Sequence, residues 1–305
     1  MSERNAIELL DEAVDAILAD RTPHDVGPEV ALLAALAVDL RDLPDPAFKA
    51  RLRKELVPEE QTMIPYFVVS GADRLISFIT EAFGGELVAR YPRPDGSVMH
   101  AEMRIGDSKV EIGEPSEIME LHPAAIHLYV GNVDELYERA LAAGAVSLHP
   151  LTNQPYGDRE GSVRDPLGNH WYIATHLATG SKPSPEFRSV TPFLHARGAD
   201  RLIDWMQRAL SAQLVDRSAS PEGTVQHAIL RIGTSVIEMG EAHGEWQPMP
   251  MHIHVYVSDA DAVYQQAIEA GGTVSYPIND APYGERVGGV TDPAGNTWYI
   301  ATKLA

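Results

Sequence analysis

A single offset of 127 residues maps the second part of this chain onto the first, from Pro65/Pro192 to Thr175/Thr302, without an insertion or deletion. The motif GADRLI begins at Gly71 and again at Gly198. Surface loops normally tolerate changes in length, so an unbroken register indicates a tandem duplication of one compact domain. Functional residues are therefore best sought by comparing the two copies.

Charge and composition exclude several classes of protein. The 305 residues carry a formal net charge of −20, which disfavours nucleic acids and anionic membranes as partners. The absence of cysteine excludes disulfides, thiolate metal sites and cysteine nucleophiles. The N-terminus lacks a secretory signal, and no apolar run approaches the roughly 20 residues that span a bilayer. We therefore expect a soluble cytoplasmic protein.

Hydrophobic periodicity predicts the same order of elements twice within each copy. A strand at 64–69 is followed by a helix from Gly71 and three further strands. The second half of the copy repeats this order and ends in short strands near 162–164 and 170–175. The predicted fold class is α+β, with two tandem domains of two βαβββ modules each.

Domain boundaries follow from the repeat and from composition. We predict an N-terminal helical extension at 1–61, a first domain at 62–180 and a second domain at 188–305. The extension contains three amphipathic runs. It is interpreted as a passive cap or as an arm that contacts a partner protein.

Five motifs recur in the same order in both copies: GADRLIxF, HAxxRIG, YxVxxxDxxYxxAxxAG, PYGxR and DPxGNxWYIAT. With the twinned modules, they make the chain resemble the vicinal oxygen chelate superfamily, which includes glyoxalase I, fosfomycin- and bleomycin-resistance proteins and extradiol dioxygenases. The chain is most similar to the tandem glyoxalase-like, PhnB-like branch, over nearly all of residues 62–305. This resemblance implies that paired modules form curved, cup-like sheets.

The resemblance also implies a divalent metal (Zn, Ni, Mn or Fe) held by His or Gln, Glu, His and Glu from the first and fourth strands of each module. In the first copy these positions are Ile64, Glu111, Ala125 and Tyr172. In the second copy they are Thr191, Glu238, His252 and Tyr299. Only the second copy keeps two ligand-type residues, so we expect the cup of domain 2 to be the candidate site and domain 1 to be degenerate. Glu238 and His252 are the candidate metal ligands, and Glu238 is also the candidate catalytic proton carrier.

Strand alternation adds further candidates to the inner face of the cups. His195 lies about 13 Å along its strand from Thr191, too far to join the same metal, and His254 lies two residues beyond His252. Glu111 and Glu238 are predicted to face inward, with a solvent-facing carboxylate as the alternative. His100 and His227 are shared by both copies and are expected to make hydrogen bonds that support the fold. The full predicted ligand-binding set is Glu238, His252, His254, His195, Tyr299, Thr191, Glu111, His127 and Tyr172.

Three functions remain open at the level of the sequence. The leading hypothesis is a small-molecule-binding protein that uses the cup of domain 2 without a complete metal site. The alternative is a metal-dependent lyase, isomerase or dioxygenase that uses Glu238 and His252. The third is a regulatory or scaffold protein, and formation of a homodimer is left open. Phosphate-loop, dinucleotide-fold and serine-hydrolase motifs are missing, which sets those enzyme classes aside.

Overall fold

The computed structural model describes residues 13, 15, 16, 60–117, 119–184, 186–244 and 246–304. The predicted helical extension at 1–61 lies almost entirely outside the described residues. All the elements below belong to one compact unit that begins at Gln61. Within the part of the chain that is described, no helix combines the length and apolarity needed to cross a membrane.

Four consecutive βαβββ modules make up this unit, which confirms the predicted fold class. Module 1 contains β1 (Met63–Val68), α1 (Ala72–Phe83), β2 (Glu86–Pro92), β3 (Val98–Ile105) and β4 (Ser108–Gly113). Module 2 contains β5 (Ala125–Tyr129), α2 (Val133–Ala142), β6 (Val146–Asn153), β7 (Asp158–Arg164) and β8 (His170–His176). Module 3 contains β9 (Val190–Ala196), α3 (Ala199–Leu210), β10 (Gln213–Ala219), β11 (Val225–Ile232) and β12 (Ser235–Glu241). Module 4 contains β13 (His252–Tyr256), α4 (Ala260–Glu269), β14 (Thr273–Ala281), β15 (Glu285–Thr291) and β16 (Thr297–Lys303).

The modules form two eight-stranded sheets, and each sheet combines one module from each repeat. Sheet 1 has the order β14-β15-β16-β13-β1-β4-β3-β2, and sheet 2 has the order β10-β11-β12-β9-β5-β8-β7-β6. The repeats meet where β1 pairs antiparallel with β13 and where β5 pairs antiparallel with β9. Modules 1 and 4 therefore share sheet 1, and modules 2 and 3 share sheet 2. The expectation that the second repeat alone encloses the candidate site is wrong.

Each central strand presents an apolar face to the helices and a polar face to the other side. On β5, Ile126 and Leu128 join the core while His127 and Tyr129 point the opposite way, as strand alternation requires. The core also connects the two sheets. The Trp171 ring of sheet 2 stacks on Phe67 of sheet 1 with 5.4 Å between ring centroids. One hydrophobic core therefore supports both polar faces.

Strand β7 is longer than the sequence pattern predicts. The pattern indicates a strand at 162–164, because the preceding PYG segment is typical of a turn. The turn ends at Gly157, which has a φ of 99°, and the strand begins at Asp158. Asp158, Glu160 and Ser162 therefore alternate onto the same face of sheet 2.

Candidate functional site

A cavity of about 890 Å³ lies on the polar face of sheet 2. Modules 2 and 3 both line it, and so does Trp246 from the segment between β12 and β13. Among the described residues, six of the 12 histidines of the sequence line the cavity, namely His127, His149, His176, His195, His227 and His243. Five carboxylate residues also line it, namely Asp158, Glu160, Asp216, Glu238 and Glu241. No Lys or Arg of the described chain does so, and the cavity is therefore acidic.

At the seam between β5 and β9, a buried ion pair crosses from one repeat to the other. His127 Nδ1 lies 2.8 Å from Glu238 Oε2, and His227 Nε2 lies 3.1 Å from Glu238 Oε1. Glu238 is only 2% exposed. Both oxygens of the carboxylate are thus held by imidazoles, and no apolar residue could take the place of either partner without leaving a buried charge.

The charges of this pair stabilise each other. Burial lowers the pKa of His127, but the charges of Glu238 and Glu160 outweigh burial and raise the pKa to about 10. Burial raises the pKa of Glu238, yet the charge and hydrogen bond of His127 lower it to about 2. His127 is therefore an imidazolium and Glu238 a carboxylate at neutral pH.

The carboxylates of β7 surround the other nitrogen of His127. Glu160 Oε2 lies 3.3 Å from His127 Nε2, but without the geometry of a hydrogen bond. Tyr156 donates its hydroxyl to Glu160 over 3.3 Å, and His176 Nδ1 bonds to Asp158. Ligand-type atoms of His127, Asp158 and Glu160 all lie within 4.8 Å of one another. Two carboxylates and an imidazolium thus meet in a small volume.

Aromatic rings form another part of the cavity wall. Trp246 stacks on His195 with a centroid distance of 5.5 Å and an angle of 7° between the rings. The rings of His149 and Tyr172 lie within 4.8 and 5.8 Å of Trp246. Burial lowers the pKa of His195 to about 4, so the imidazole is neutral, and its Nε2 shares a hydrogen bond of 2.7 Å with the Tyr172 hydroxyl. This wall suits a flat, apolar group.

Sheet 1 carries a related cluster at the equivalent positions. His254 Nδ1 lies 3.1 Å from Glu111 Oε2, and His254 Nε2 lies 3.4 Å from Glu285 Oε2. Burial lowers the pKa of His254, but Glu111 and Glu285 outweigh burial and raise the pKa to about 10. Tyr256 donates its hydroxyl to Glu285 over 2.8 Å. The two sheets therefore share a motif in which one imidazolium lies between two carboxylates.

His252 is a separate feature of sheet 1. Its Nε2 donates to the backbone carbonyl of Glu120 over 2.9 Å, and its Nδ1 accepts the Tyr299 hydroxyl over 3.3 Å. Burial lowers the pKa of His252 to about 4. The ring is thus neutral, and both nitrogens are engaged within the protein.

The structure does not bring the two candidate metal ligands together. Glu238 lies on sheet 2 and His252 on sheet 1, so the prediction that they share a site is wrong. The physical reason is that the two modules of one repeat belong to different sheets. Of the predicted ligand-binding set, sheet 2 holds His127, Tyr172, Thr191, His195 and Glu238. Sheet 1 holds Glu111, His252, His254 and Tyr299.

The residues at the family metal positions do not fit a resident metal on either sheet. Sheet 1 combines Ile64, Glu111, His252 and Tyr299, and sheet 2 combines Ala125, Tyr172, Thr191 and Glu238. Each of these carboxylates is already paired with an imidazolium. A metal site needs about three well-placed groups with free lone pairs, and neither set provides them.

Several residues that line the cavity were not among the predicted site residues, namely Asp158, Glu160, Ser162 and Trp246. Comparing the copies position by position offers a signal, because Glu160 corresponds to Val287 and Trp246 to Met119. His227 was expected to support the fold through a backbone hydrogen bond, and it contacts the Glu238 side chain instead.

Comparison with known proteins agrees with this architecture. Residues 62–173 and 193–300 match the family model described as Glyoxalase/Bleomycin resistance protein/Dioxygenase superfamily. The Mycobacterium bovis protein Mb0911c is 36% identical over 126 residues, which cover 37% of this chain and 82% of that protein. The Mycobacterium tuberculosis protein Rv0887c is 36% identical over 126 residues, with coverages of 37% and 74%.

Among solved structures, glyoxalase I from Zea mays has a TM-score of 0.61 and 17% identity, and the match covers 79% of this chain and 92% of that one. At this identity the likeness concerns the fold alone. The family match spans both repeats and all four modules. The chain therefore belongs to the glyoxalase/bleomycin resistance protein/dioxygenase superfamily.

Proposed function

We propose that the protein binds a small organic molecule in the cavity of sheet 2. The observation that carries this proposal is a cavity of about 890 Å³ whose lining combines stacked aromatic rings with buried, oriented polar groups. Pockets for small molecules typically measure about 300–1,000 Å³ and combine apolar walls with a few aimed polar groups. The cavity lies between modules of different repeats, so both copies contribute to one ligand site.

The two walls have different roles in binding. Trp246 and the neutral His195 offer flat surfaces on which a ring of the ligand can stack. The His127–Glu238 pair is fixed by His227 and therefore does not reorganise when a ligand enters. Fixed polar groups orient a ligand at a low cost in entropy. The arrangement favours a planar apolar body with a polar end directed at β7.

A matched pair of variants tests the location of the site. Trp246→Ala removes the stacking surface in sheet 2, and Met119→Ala changes the equivalent residue of the first repeat, which packs in sheet 1. A panel of planar aromatic compounds is first screened by thermal shift, because ligands that bind only the native state raise its stability. Titration calorimetry then measures the affinity of each hit for the three proteins, after circular dichroism has checked their folding.

We expect Trp246→Ala to weaken binding about tenfold or more, which corresponds to about 1.4 kcal/mol, and Met119→Ala to leave it unchanged. Equal losses of ligand affinity in the two variants, or a loss of affinity in Met119→Ala alone, would place the ligand outside sheet 2.

A divalent cation in the same cavity is the second candidate. The observation that favours it is the proximity of His127, Asp158 and Glu160, whose ligand-type atoms lie within 4.8 Å of one another. His127 would have to release its proton to act as a ligand. Elemental analysis of protein purified without chelator tests this candidate in wild type and in Glu160→Ala. Less than about a tenth of an ion per chain in wild type would exclude a tightly bound metal.

A further inference from the structure

We propose that the ligand of the sheet 2 cavity carries an ammonium group, which binds against Asp158 and Glu160 while the body of the ligand stacks at Trp246. This inference rests on the proposed function and names the chemical class of the ligand. Because of the fixed offset of 127 residues, each position of sheet 2 has an equivalent position in sheet 1.

Sheet 1 contains an ammonium group of its own at this place. Lys303 Nζ lies 5.4 Å from the centroid of the Tyr256 ring, within the range of a cation–π contact. The Tyr256 hydroxyl bonds to Glu285. Burial raises the pKa of Glu285. His254 and, to a smaller extent, the charge of Lys303 lower this pKa and outweigh burial. An aromatic face and a carboxylate thus flank a built-in cation.

Sheet 2 keeps the aromatic ring and the carboxylate but has a different charge balance. Tyr129 and Asp158 stand at the positions of Tyr256 and Glu285. His176 takes the place of Lys303, and Glu160 takes the place of Val287. Relative to sheet 1, sheet 2 has lost a lysine ammonium and gained a carboxylate. The cavity is thereby suited to a cation that arrives with a ligand.

The contacts within the cavity leave Glu160 with only a shared counter-charge. Glu238 is held by His127 and His227, and its charge is balanced by the His127 imidazolium. The same imidazolium faces Glu160 at 3.3 Å without a hydrogen bond. One positive ring therefore faces two carboxylates, and the nearby Asp158 is bonded to His176 Nδ1. No Lys or Arg among the described lining residues offsets this charge.

A buried hydroxyl points to the same place. Ser162 is 2% exposed and lines the cavity, yet its Oγ has no hydrogen-bond partner within the described part of the chain. It lies two residues after Glu160 on β7, and the equivalent residue of sheet 1 is Gly289. An ammonium group has three N–H donors and no acceptor. Asp158 and Glu160 supply two carboxylates close to each other, and Ser162 supplies an acceptor two residues beyond Glu160 on the same face of β7.

The experiment uses probes that share an aromatic body and differ in charge. 1-Naphthylmethylammonium, 1-naphthalenemethanol and 1-naphthoate are titrated calorimetrically into the full-length protein at pH 7. Matched benzyl and indolyl series guard against a poor fit of one ring system. The variants are Glu160→Gln and Ser162→Ala, with Glu285→Gln in sheet 1 as the control. The melting temperature of each variant checks that it remains folded.

We expect wild type to bind the ammonium probe at least tenfold more tightly than the alcohol, and the carboxylate weakest of the three. Glu160→Gln lowers the affinity for the ammonium probe about tenfold and changes the affinity for the alcohol by less than twofold. Ser162→Ala lowers the affinity for the ammonium probe by a smaller factor. Glu285→Gln changes neither affinity.

Other results overturn the inference in distinguishable ways. If the alcohol binds as tightly as the ammonium and Glu160→Gln has no effect, the ligand class is wrong while the proposed function stands. If no member of any series binds, the proposed function fails as well. If Zn²⁺ binds in a way that requires Glu160 and the ammonium probes bind independently of it, these carboxylates hold a metal and not an organic cation.

Discussion

At the scale of single residues, the most informative group is His127, an imidazolium between Glu238 of one repeat and Glu160 of its own. Its pKa of about 10 and the pKa of about 2 for Glu238 define a pH window for the pair. The folded-state pKa of His127 is raised, so its contribution to stability is complete below its unfolded value near 6.5 and is lost as the pH rises through about 10. The folded-state pKa of Glu238 is depressed, so its contribution is present above about 4.5 and is lost as the pH falls through about 2.

This window predicts how the ion pair contributes to stability. The double variant His127→Gln/Glu238→Gln removes both titrating groups and avoids leaving one buried charge alone. The difference in unfolding free energy between wild type and this variant should fall by on the order of 2–4 kcal/mol between pH 6 and pH 10. Urea denaturation across this range measures it. A difference that stays constant with pH would show that His127 is not charged in the folded protein.

The sequence predicted these residues better than it predicted their partners. Strand alternation predicts an inner-face position for Glu238, and the carboxylate is indeed buried. Its contact with His127 joins residues that are 111 positions apart. Such a pairing depends on which modules share a sheet, and no local pattern of residues encodes that choice. Glu160 was missed because its strand begins earlier than the turn residues around it indicate.

At the scale of elements, the turn between β7 and β8 and its counterpart between β15 and β16 fix the strands that carry the site. Asp165 accepts hydrogen bonds from the backbone of Leu167 and Asn169, from the Asn169 side chain and from Trp171 Nε1. Asp292 makes the same contacts in the second copy. The repeated DPxGN motif suits turns of this kind, since Pro and Gly supply the required dihedral angles. The pairing of the aspartate with the tryptophan ring comes from the structure.

Asp165→Ala and Asp292→Ala should each lower the unfolding free energy by about 3 kcal/mol, because each leaves buried donors without an acceptor. Asp95→Ala, in an exposed turn where the carboxylate bonds to the backbone and hydroxyl of Ser97, should cost less than about 1 kcal/mol. Chemical denaturation of the three variants checks the order. Equal losses for the buried and exposed positions would contradict this role of the turn.

At the scale of the whole molecule, the two repeats are interleaved. In the middle of each sheet, a strand of one repeat pairs antiparallel with a strand of the other, β1 with β13 and β5 with β9. Stacking of Phe67 on Trp171 joins the sheets through one core. The duplication and the order of the modules could be inferred from the sequence. Their pairing could not, because pairing within a repeat and pairing across repeats satisfy the same strand patterns.

Because the two repeats are interleaved, we expect the protein to stay assembled when the chain is cleaved between them. A protease site introduced at 178–180, which is exposed, separates the repeats after folding without touching either seam. The two fragments should coelute in size-exclusion chromatography at the size of the intact protein and separate only in denaturant. Elution as two independent folded monomers would contradict the observed sheet order.

The central claim is that one organic ligand binds between modules of different repeats on sheet 2. The most direct test is a crystal structure of the protein with 1-naphthylmethylammonium. The account predicts one molecule per chain, with its ring against Trp246 of the second repeat and its nitrogen within hydrogen-bond distance of Glu160 of the first. A probe bound on sheet 1, or elsewhere on the protein surface, would contradict it.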